Sequence, residues 1–249
     1  MKLTFAGVGA AFDPLLYTTS SLVEHAGFRL MVDCGYASLG SSLECDSQLS
    51  EIDALYLTHF HADHTFGLPA LLGIMAERKR THPFSICGQN GTEAYVQKLM
   101  QVAYPGLLKN LPFRLLFRES DIALELGPLL LEFARSLHPM KNMSVKINAG
   151  PLKLGISGDG AMTDETKLLL SDCDFLVHEC YSPTERIPGH EAFQPLMSEI
   201  AHFGGLRELF LVHVFPDHRE VIRQMAIKNS DRDNLIIRLP EPSSCFSLS

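Results

Sequence analysis

The stretch Tyr56-Leu57-Thr58-His59-Phe60-His61-Ala62-Asp63-His64-Thr65-Phe66-Gly67 carries the densest chemistry in this sequence. It continues the apolar run Ala54–Leu57, which predicts a buried strand. Three histidines and one carboxylate then fall within six residues. Imidazole and carboxylate are donors for zinc, manganese or iron, and burying them unpaired would be costly. His59 and His61 stand two apart, so in an extended segment both point the same way and can grip one ion. Asp63 and His64 follow where the chain must turn before a helical pattern from Leu68, so they can face a second ion. A solvated polar loop would not need four ligand-type residues at this spacing at a strand end.

Outward from this stretch, short apolar runs alternate with helical patterns. Strands are expected at Leu3–Ala6, Phe28–Val32, Ala54–Leu57, Ser85–Cys87, Arg114–Phe117 and Leu129–Phe133. Four more are expected at Leu152–Ile156, Asp174–Val177, Leu209–Val212 and Leu235–Leu239. Helical patterns cover Leu68–Arg80, Thr92–Ala103, Asp164–Leu170, Phe193–Phe203 and Arg219–Lys228, with Thr163 and Asp217 as candidate caps. Strands come first, then strands mixed with helices, then strands again. That order predicts an α/β protein of two mixed β-sheets packed face to face with helices on both outer sides, an αββα sandwich. No repeat, charge block or linker divides residues 1–249, which read as one domain.

Composition narrows the classes. Apolar residues make up 46% and charged residues 20%, a packed globular profile that excludes disorder and coiled coil. The net charge of −8 and the absence of Trp argue against a nucleic-acid coater or an aromatic stacking platform, so stable DNA binding is not expected. Cys34, Cys45, Cys87, Cys173, Cys180 and Cys245 are scattered without a C-x-x-C pair, as free thiols in a reducing, cytoplasmic setting would be. Gly7 and Gly9 interrupt the uncharged opening run, which weakens a signal-peptide reading. No apolar stretch reaches the roughly eighteen residues of a membrane span.

The sequence His59-Phe-His61-Ala-Asp63-His64 resembles the H-x-H-x-D-H signature of the metallo-β-lactamase-fold hydrolases, and the resemblance recurs in order along almost the whole chain. Asp33, in Met31-Val-Asp33-Cys-Gly35, resembles the early aspartate that orients a metal ligand. His138, after Leu129–Arg135, resembles the third histidine of the first metal site. Asp159, in Gly158-Asp159-Gly160, resembles the aspartate that bridges two metals, and His213 resembles the last histidine. The resemblance implies that His59, His61 and His138 hold one divalent ion. It implies that Asp63, His64 and His213 hold a second, with Asp159 between them. Zinc is the first expectation, with manganese or iron as alternatives. It further implies a metal-bridging hydroxide as nucleophile, with Asp63 counted among the catalytic residues.

Within that family the closest branch by motif is the ribonuclease Z branch. His178-Glu179 resembles its H-E segment, and His190, in Gly189-His190-Glu191, resembles its histidine near the scissile phosphate. The roles implied are His190 as general acid and Glu179 as the carboxylate orienting it. His178 reads as structural. Two departures stand out. Only twenty residues separate His138 from Asp159, where that branch carries a protruding tRNA-binding arm, and Glu191 replaces a small hydroxyl residue. The short basic cluster Arg78-Lys79-Arg80 reads as a solvated helix end. Met140 and Met143 are candidates to line the pocket.

The expected function is therefore a dinuclear metal-dependent phosphodiesterase acting on a small phosphodiester or RNA. The alternatives are a ribonuclease Z-type tRNA 3′ endonuclease, a thioester, lactone or sulfate ester hydrolase, and a non-catalytic metal-binding interaction module. A homodimer is left open.

Overall fold

The structure, a computed structural model, describes residues 1–40, 49–230 and 234–249. Cys45 lies outside the described residues; the other five cysteines are free thiols, and only Cys245 is exposed.

Two seven-stranded mixed sheets form the centre. The first holds β1 (Lys2–Gly7), β2 (Ser20–His25), β3 (Phe28–Val32), β4 (Ala54–Leu57), β5 (Phe84–Gly88), β6 (Leu115–Glu119) and β14 (Cys245–Ser247), in the order β14-β1-β2-β3-β4-β5-β6. The second holds β7 (Ala123–Leu126), β8 (Leu129–Arg135), β9 (Met143–Ala149), β10 (Leu152–Ile156), β11 (Phe175–Glu179), β12 (Glu208–Val212) and β13 (Ile236–Arg238), running β13 to β7. Each sheet has a parallel half, β3 to β6 and β10 to β13. These halves receive the crossover helices, as parallel pairing requires.

Helices α2 (Leu68–Glu77) and α3 (Thr92–Ala103) cover the outer face of the first sheet. Helices α4 (Asp164–Leu170), α5 (Phe193–Ile200) and α6 (Arg219–Asn229) cover the second. Strand β4 shows why the pattern works. Ala54 and Tyr56 face the core between the sheets, while Leu55 and Leu57 face the helices. With both faces covered, every position is buried and the strand reads as an unbroken apolar run.

Tyr56 ties the two sheets together. Its ring stacks on Phe133 of β8 at 5.1 Å between centroids, and its hydroxyl donates to the Met143 carbonyl at 2.8 Å. Tyr56→Phe keeps the stack and removes the donor. It should cost about 1–2 kcal/mol, read as a melting temperature lower by roughly 2–6 °C. An unchanged midpoint would mean that this bond contributes nothing net.

The expected strands and helices are all present, with small differences at their ends. The strands not anticipated are β2, β7, β9 and β14. β9 does alternate, Met143-Ser-Val-Lys-Ile-Asn-Ala149, but its start, Met143, was expected to line the pocket. β7 and β14 are only four and three residues long. α2 stops at Glu77 rather than Arg80, because Lys79 takes a left-handed backbone, φ 56°. Arg80 then turns inward and is 3% exposed, correcting the solvated reading. It donates to the carbonyls of Ser50, His82 and Pro83 and lies over the Phe84 and Phe113 rings. Thr163 caps α4 as expected, through a reciprocal pair with Thr166. Asp217 caps nothing: Pro216–His218 forms a 3₁₀ turn running straight into α6, whose N-cap is His218.

Candidate metal centre

The ends of β3, β4, β8, β10, β11 and β12 converge at one edge of the sandwich, where the described residues line a cleft of about 450 Å³. After β4 the chain bends at Thr58, passes through His59 to extended backbone at His61, then winds one helical turn, α1 (Ala62–Thr65). The part before the turn delivers His59 and His61 to one side; the turn swings Asp63 and His64 to the other. The helical turn packs against Asp33-Cys34-Gly35, where Cys34 N donates to the His64 carbonyl at 2.7 Å. Gly35 is needed there, since a Cβ would lie 1.8 Å from the Asp63 carbonyl oxygen.

Asp33 stands just past β3 in a left-handed backbone conformation, φ 60°. Its carboxylate accepts from Thr58 N and Thr58 Oγ1, each at 2.8 Å, and from His64 Nδ1 at 2.7 Å. That fixes the His64 ring with Nε2 pointing into the centre, the role expected of Asp33. His213, just past β12, also has positive φ, 55°, and donates its backbone N–H to the carbonyl of Val8, just past β1 of the other sheet. Strained backbone at two non-glycine residues of one site is a cost held by the surrounding structure.

Three imidazoles meet on the first side. His59 Nε2 lies 3.0 Å from His61 Nδ1, and His138 Nε2 lies 3.2 Å from the same atom. His138 Nδ1 is turned the other way and bonds the Gly189 carbonyl at 2.7 Å. Burial pushes the pKa values of His59, His61 and His138 down, so these rings are neutral with lone pairs available. On the second side, Asp63 Oδ2 lies 3.3 Å from both His64 Nε2 and His213 Nε2. Asp159 stands between the two sides. Its Oδ2 is 3.7 Å from His59 Nε2 and 3.5 Å from His213 Nε2, and its Oδ1 is 3.3 Å from His64 Nε2.

Burial is the largest single influence on His64 and His213 and opposes their protonation, but the surrounding carboxylates together outweigh it and hold both pKa values up: Asp159 and Asp33 at His64, and Asp159, Asp63 and Glu179 at His213. The buried carboxylates thus demand positive charge beside them, which a proton or a cation can supply. His64 Nε2 and Asp159 Oδ1 have no hydrogen-bond partner although both are buried. Converging donors with orphaned buried atoms fit divalent cations, and the groups His59/His61/His138/Asp159 and Asp63/His64/Asp159/His213 each close to within 4.8 Å.

All seven expected ligands come together, and so do His190 and Glu179. His190 Nδ1 bonds Glu179 Oε2 at 2.9 Å, and its ring lies 5.6 Å from that of His138 and 5.7 Å from that of His213. Burial pushes the His190 pKa down, while burial and nearby Asp159 push that of Glu179 up. His178 faces away from the cleft and is 1% exposed, as a structural residue would be. Met140 and Met143 do not line the cleft; Met143 opens β9.

Several contributors were not anticipated. Asn142 accepts from Asp159 N at 3.1 Å and donates to Ser136 Oγ and the Ser157 carbonyl, fixing the Asp159 loop. Tyr181 stacks on His190 at 4.5 Å and lines the cleft with Phe12 and Phe215. Tyr181 lies two residues after Glu179, and position along a strand end was the only available signal.

An αββα sandwich with this paired His/Asp centre at its strand ends defines a metallo-hydrolase of the metallo-β-lactamase fold. The family model described as "Anti-Pycsar protein Apyc1" matches residues 1–221, and the chain belongs to that family. The probable metallo-hydrolase YhfI of Bacillus subtilis is 26% identical over 222 residues, covering 86% of this chain and 87% of YhfI. Its crystal structure gives a TM-score of 0.79 at 22% identity over 98% of both chains. Ribonuclease Z of Clostridium beijerinckii is 34% identical over 90 residues, 36% of this chain and only 29% of that relative. The short form of human tRNase Z shares the fold, with a TM-score of 0.80 at 20% identity over the whole of both chains.

Proposed function

We propose that the chain is a phosphodiesterase with two divalent cations, zinc first. His59, His61 and His138 hold one, Asp63, His64 and His213 hold the other, and Asp159 contacts both. When bound, such ions supply hydroxide from water near neutral pH and neutralise charge on phosphoryl oxygens. The chain's own residues do the rest. The cleft seats the phosphate between the metal donors and His190. His190 Nε2 delivers a proton to the departing alkoxide, and Glu179 holds the ring in position from Nδ1.

The observation that carries this reading is the 2.9 Å His190–Glu179 bond on a residue lining the same cleft as the metal donors. A carbonyl substrate, with its oxyanion stabilised directly, needs less help at the leaving group. The test is a panel assay of the metal-loaded protein on bis-p-nitrophenyl phosphate, cyclic nucleotides, small RNAs, thioesters and lactones. Turnover confined to thioesters or lactones would overturn the reading.

Small substrates are favoured over tRNA. The segment between His138 and Asp159 is a tight hairpin, β9 paired with β10 from Leu152↔Ala149 onward, and carries no arm. Together with the net charge of −8, this supports a reading in which neither an RNA body nor DNA is bound stably. Binding of precursor tRNA should be weak and fall steeply with salt, while small diesters turn over at least as well. Accurate 3′ cleavage of precursor tRNA at low enzyme concentration would restore the ribonuclease Z alternative. Free buried thiols fit a reducing compartment, and we assign the protein to the cytoplasm as one catalytic domain.

A further inference from the structure

The segment Arg186-Ile-Pro-Gly-His-Glu191 has two ties to the metal centre. The Gly189 carbonyl accepts from His138 Nδ1, and His190 carries the proton assigned above. Gly189 has φ 85°, and a Cβ there would meet Pro139 Cδ at 2.5 Å, so the segment is pressed onto the His138 loop. A short irregular loop would not hold that position by its backbone alone.

Its two ends are joined by an ion pair. Arg186 Nε donates to Glu191 Oε1 at 2.6 Å, and Arg186 Nη2 donates to Glu191 Oε2 at 3.0 Å, a two-pronged fork. The Glu191 side chain is fully buried. It also accepts from Ala192 N at 2.9 Å and from Met162 N at 3.0 Å, three residues after Asp159. Arg186 reaches on to Glu199 of α5 at 2.5 Å. Glu191 therefore links the segment to the Asp159 loop, and Arg186 closes the segment and ties it to a helix.

We propose that Arg186, acting through Glu191, is a positioning residue that holds Gly189 and His190 against the metal centre. The proposal rests on the phosphodiesterase reading for its kinetic signature. Loss of position at a general acid should lower kcat where the leaving group needs a proton and leave KM nearly unchanged. Loss of the Gly189 carbonyl from His138 should loosen the first metal.

The test uses full-length Arg186→Met, Arg186→Lys and the double variant Arg186→Met/Glu191→Gln. The double variant removes the ion pair without stranding a buried charge, so the question survives if the single variant misfolds. Each is assayed at saturating Zn²⁺ or Mn²⁺ on an alkyl or nucleotide diester and on bis-p-nitrophenyl phosphate. Zinc affinity is measured separately by competition with a chromogenic chelator. The double variant should lose about tenfold in kcat on the alkyl diester and less than about twofold on the nitrophenyl diester. Its zinc affinity should fall about tenfold. Arg186→Lys keeps the charge but not the fork and should fall between wild type and Arg186→Met.

A selective kcat loss or weakened zinc binding, in protein that melts as wild type does, supports the proposal. Equal losses on both diesters with unchanged zinc affinity, or no change at all, overturns it. His190→Ala serves as the reference. If that variant shows no leaving-group selectivity, the acid assignment fails and the clamp is judged on zinc affinity alone.

Discussion

Asp159→Ala should lower the occupancy of both metal sites together and reduce hydrolysis on the order of a thousandfold, the scale expected when metal-borne charge stabilisation is lost. The expectation follows from where its oxygens point. Oδ2 faces His59 and His213, Oδ1 faces His64, and Oδ1 accepts no hydrogen bond. The fold should survive, because the loop is held by its backbone. Asn142 Oδ1 accepts from Asp159 N at 3.1 Å, and Ser136 Oγ donates to the Asp159 carbonyl at 2.6 Å. Neither bond uses the carboxylate. Asp159→Asn should be intermediate, since an amide oxygen can still coordinate but brings no negative charge. Elemental analysis after exhaustive dialysis decides the matter. Full occupancy in Asp159→Ala would remove this residue from between the sites. Loss of one ion alone would assign it to a single site.

Much of this centre was legible because its residues are bound to strand ends. His59, His138 and His213 each follow an apolar run by one to three residues, and a strand end fixes where a side chain can point. The two buried halves of the sheets were legible for the same reason: strands covered on both faces read as unbroken apolar runs. β2 was missed because Ser20-Ser-Leu-Val-Glu-His25 mixes polar and apolar residues, and its partners, not its composition, make it a strand. Arg80 was misread for a related reason. Its burial depends on the Ser50 carbonyl thirty residues away and on the Phe113 ring as well as on nearby Phe84, and the distant contacts are encoded by no local pattern.

The loop after β11 was the least legible part of the site. Arg186 and Glu191 are ordinary charged residues in sequence, and only the fold shows that one is buried and forked by the other. Asn142 was invisible likewise: its side chain joins Ser136 of its own β8–β9 connection to Ser157 and Asp159 of the segment after β10. The resemblance supplied His190 and Glu179, but not the opposed shifts of the pair, down for His190 and up for Glu179, which burial produces.

His190→Ala should slow an alkyl or nucleotide diester on the order of a hundredfold or more, the usual scale for general acid catalysis, and slow a nitrophenyl diester far less. A nitrophenolate departs without a proton; an alkoxide does not. Metal content should hold, since His190 bonds Glu179 and stacks on Tyr181 but is not among the seven residues of the two donor groups assigned to the metals. Glu179→Gln is a harsher test than a simple orienting role implies. Glu179 Oε1 also accepts from Gly160 N and Glu191 N, and Oε2 lies 3.6 Å from His213 Nδ1, so some loss at the second metal is expected there. The pH profile adds an independent check. The acid must be protonated, so kcat/KM on the alkyl diester should fall as pH rises through the His190 pKa. Burial lowers that pKa, so the limb should lie below the ordinary imidazole value of about 6.5. It should vanish in His190→Ala and be absent with the nitrophenyl diester. Equal losses on both diesters, or a limb that persists without the imidazole, would make His190 a substrate-positioning group and raise the thioester and lactone alternatives.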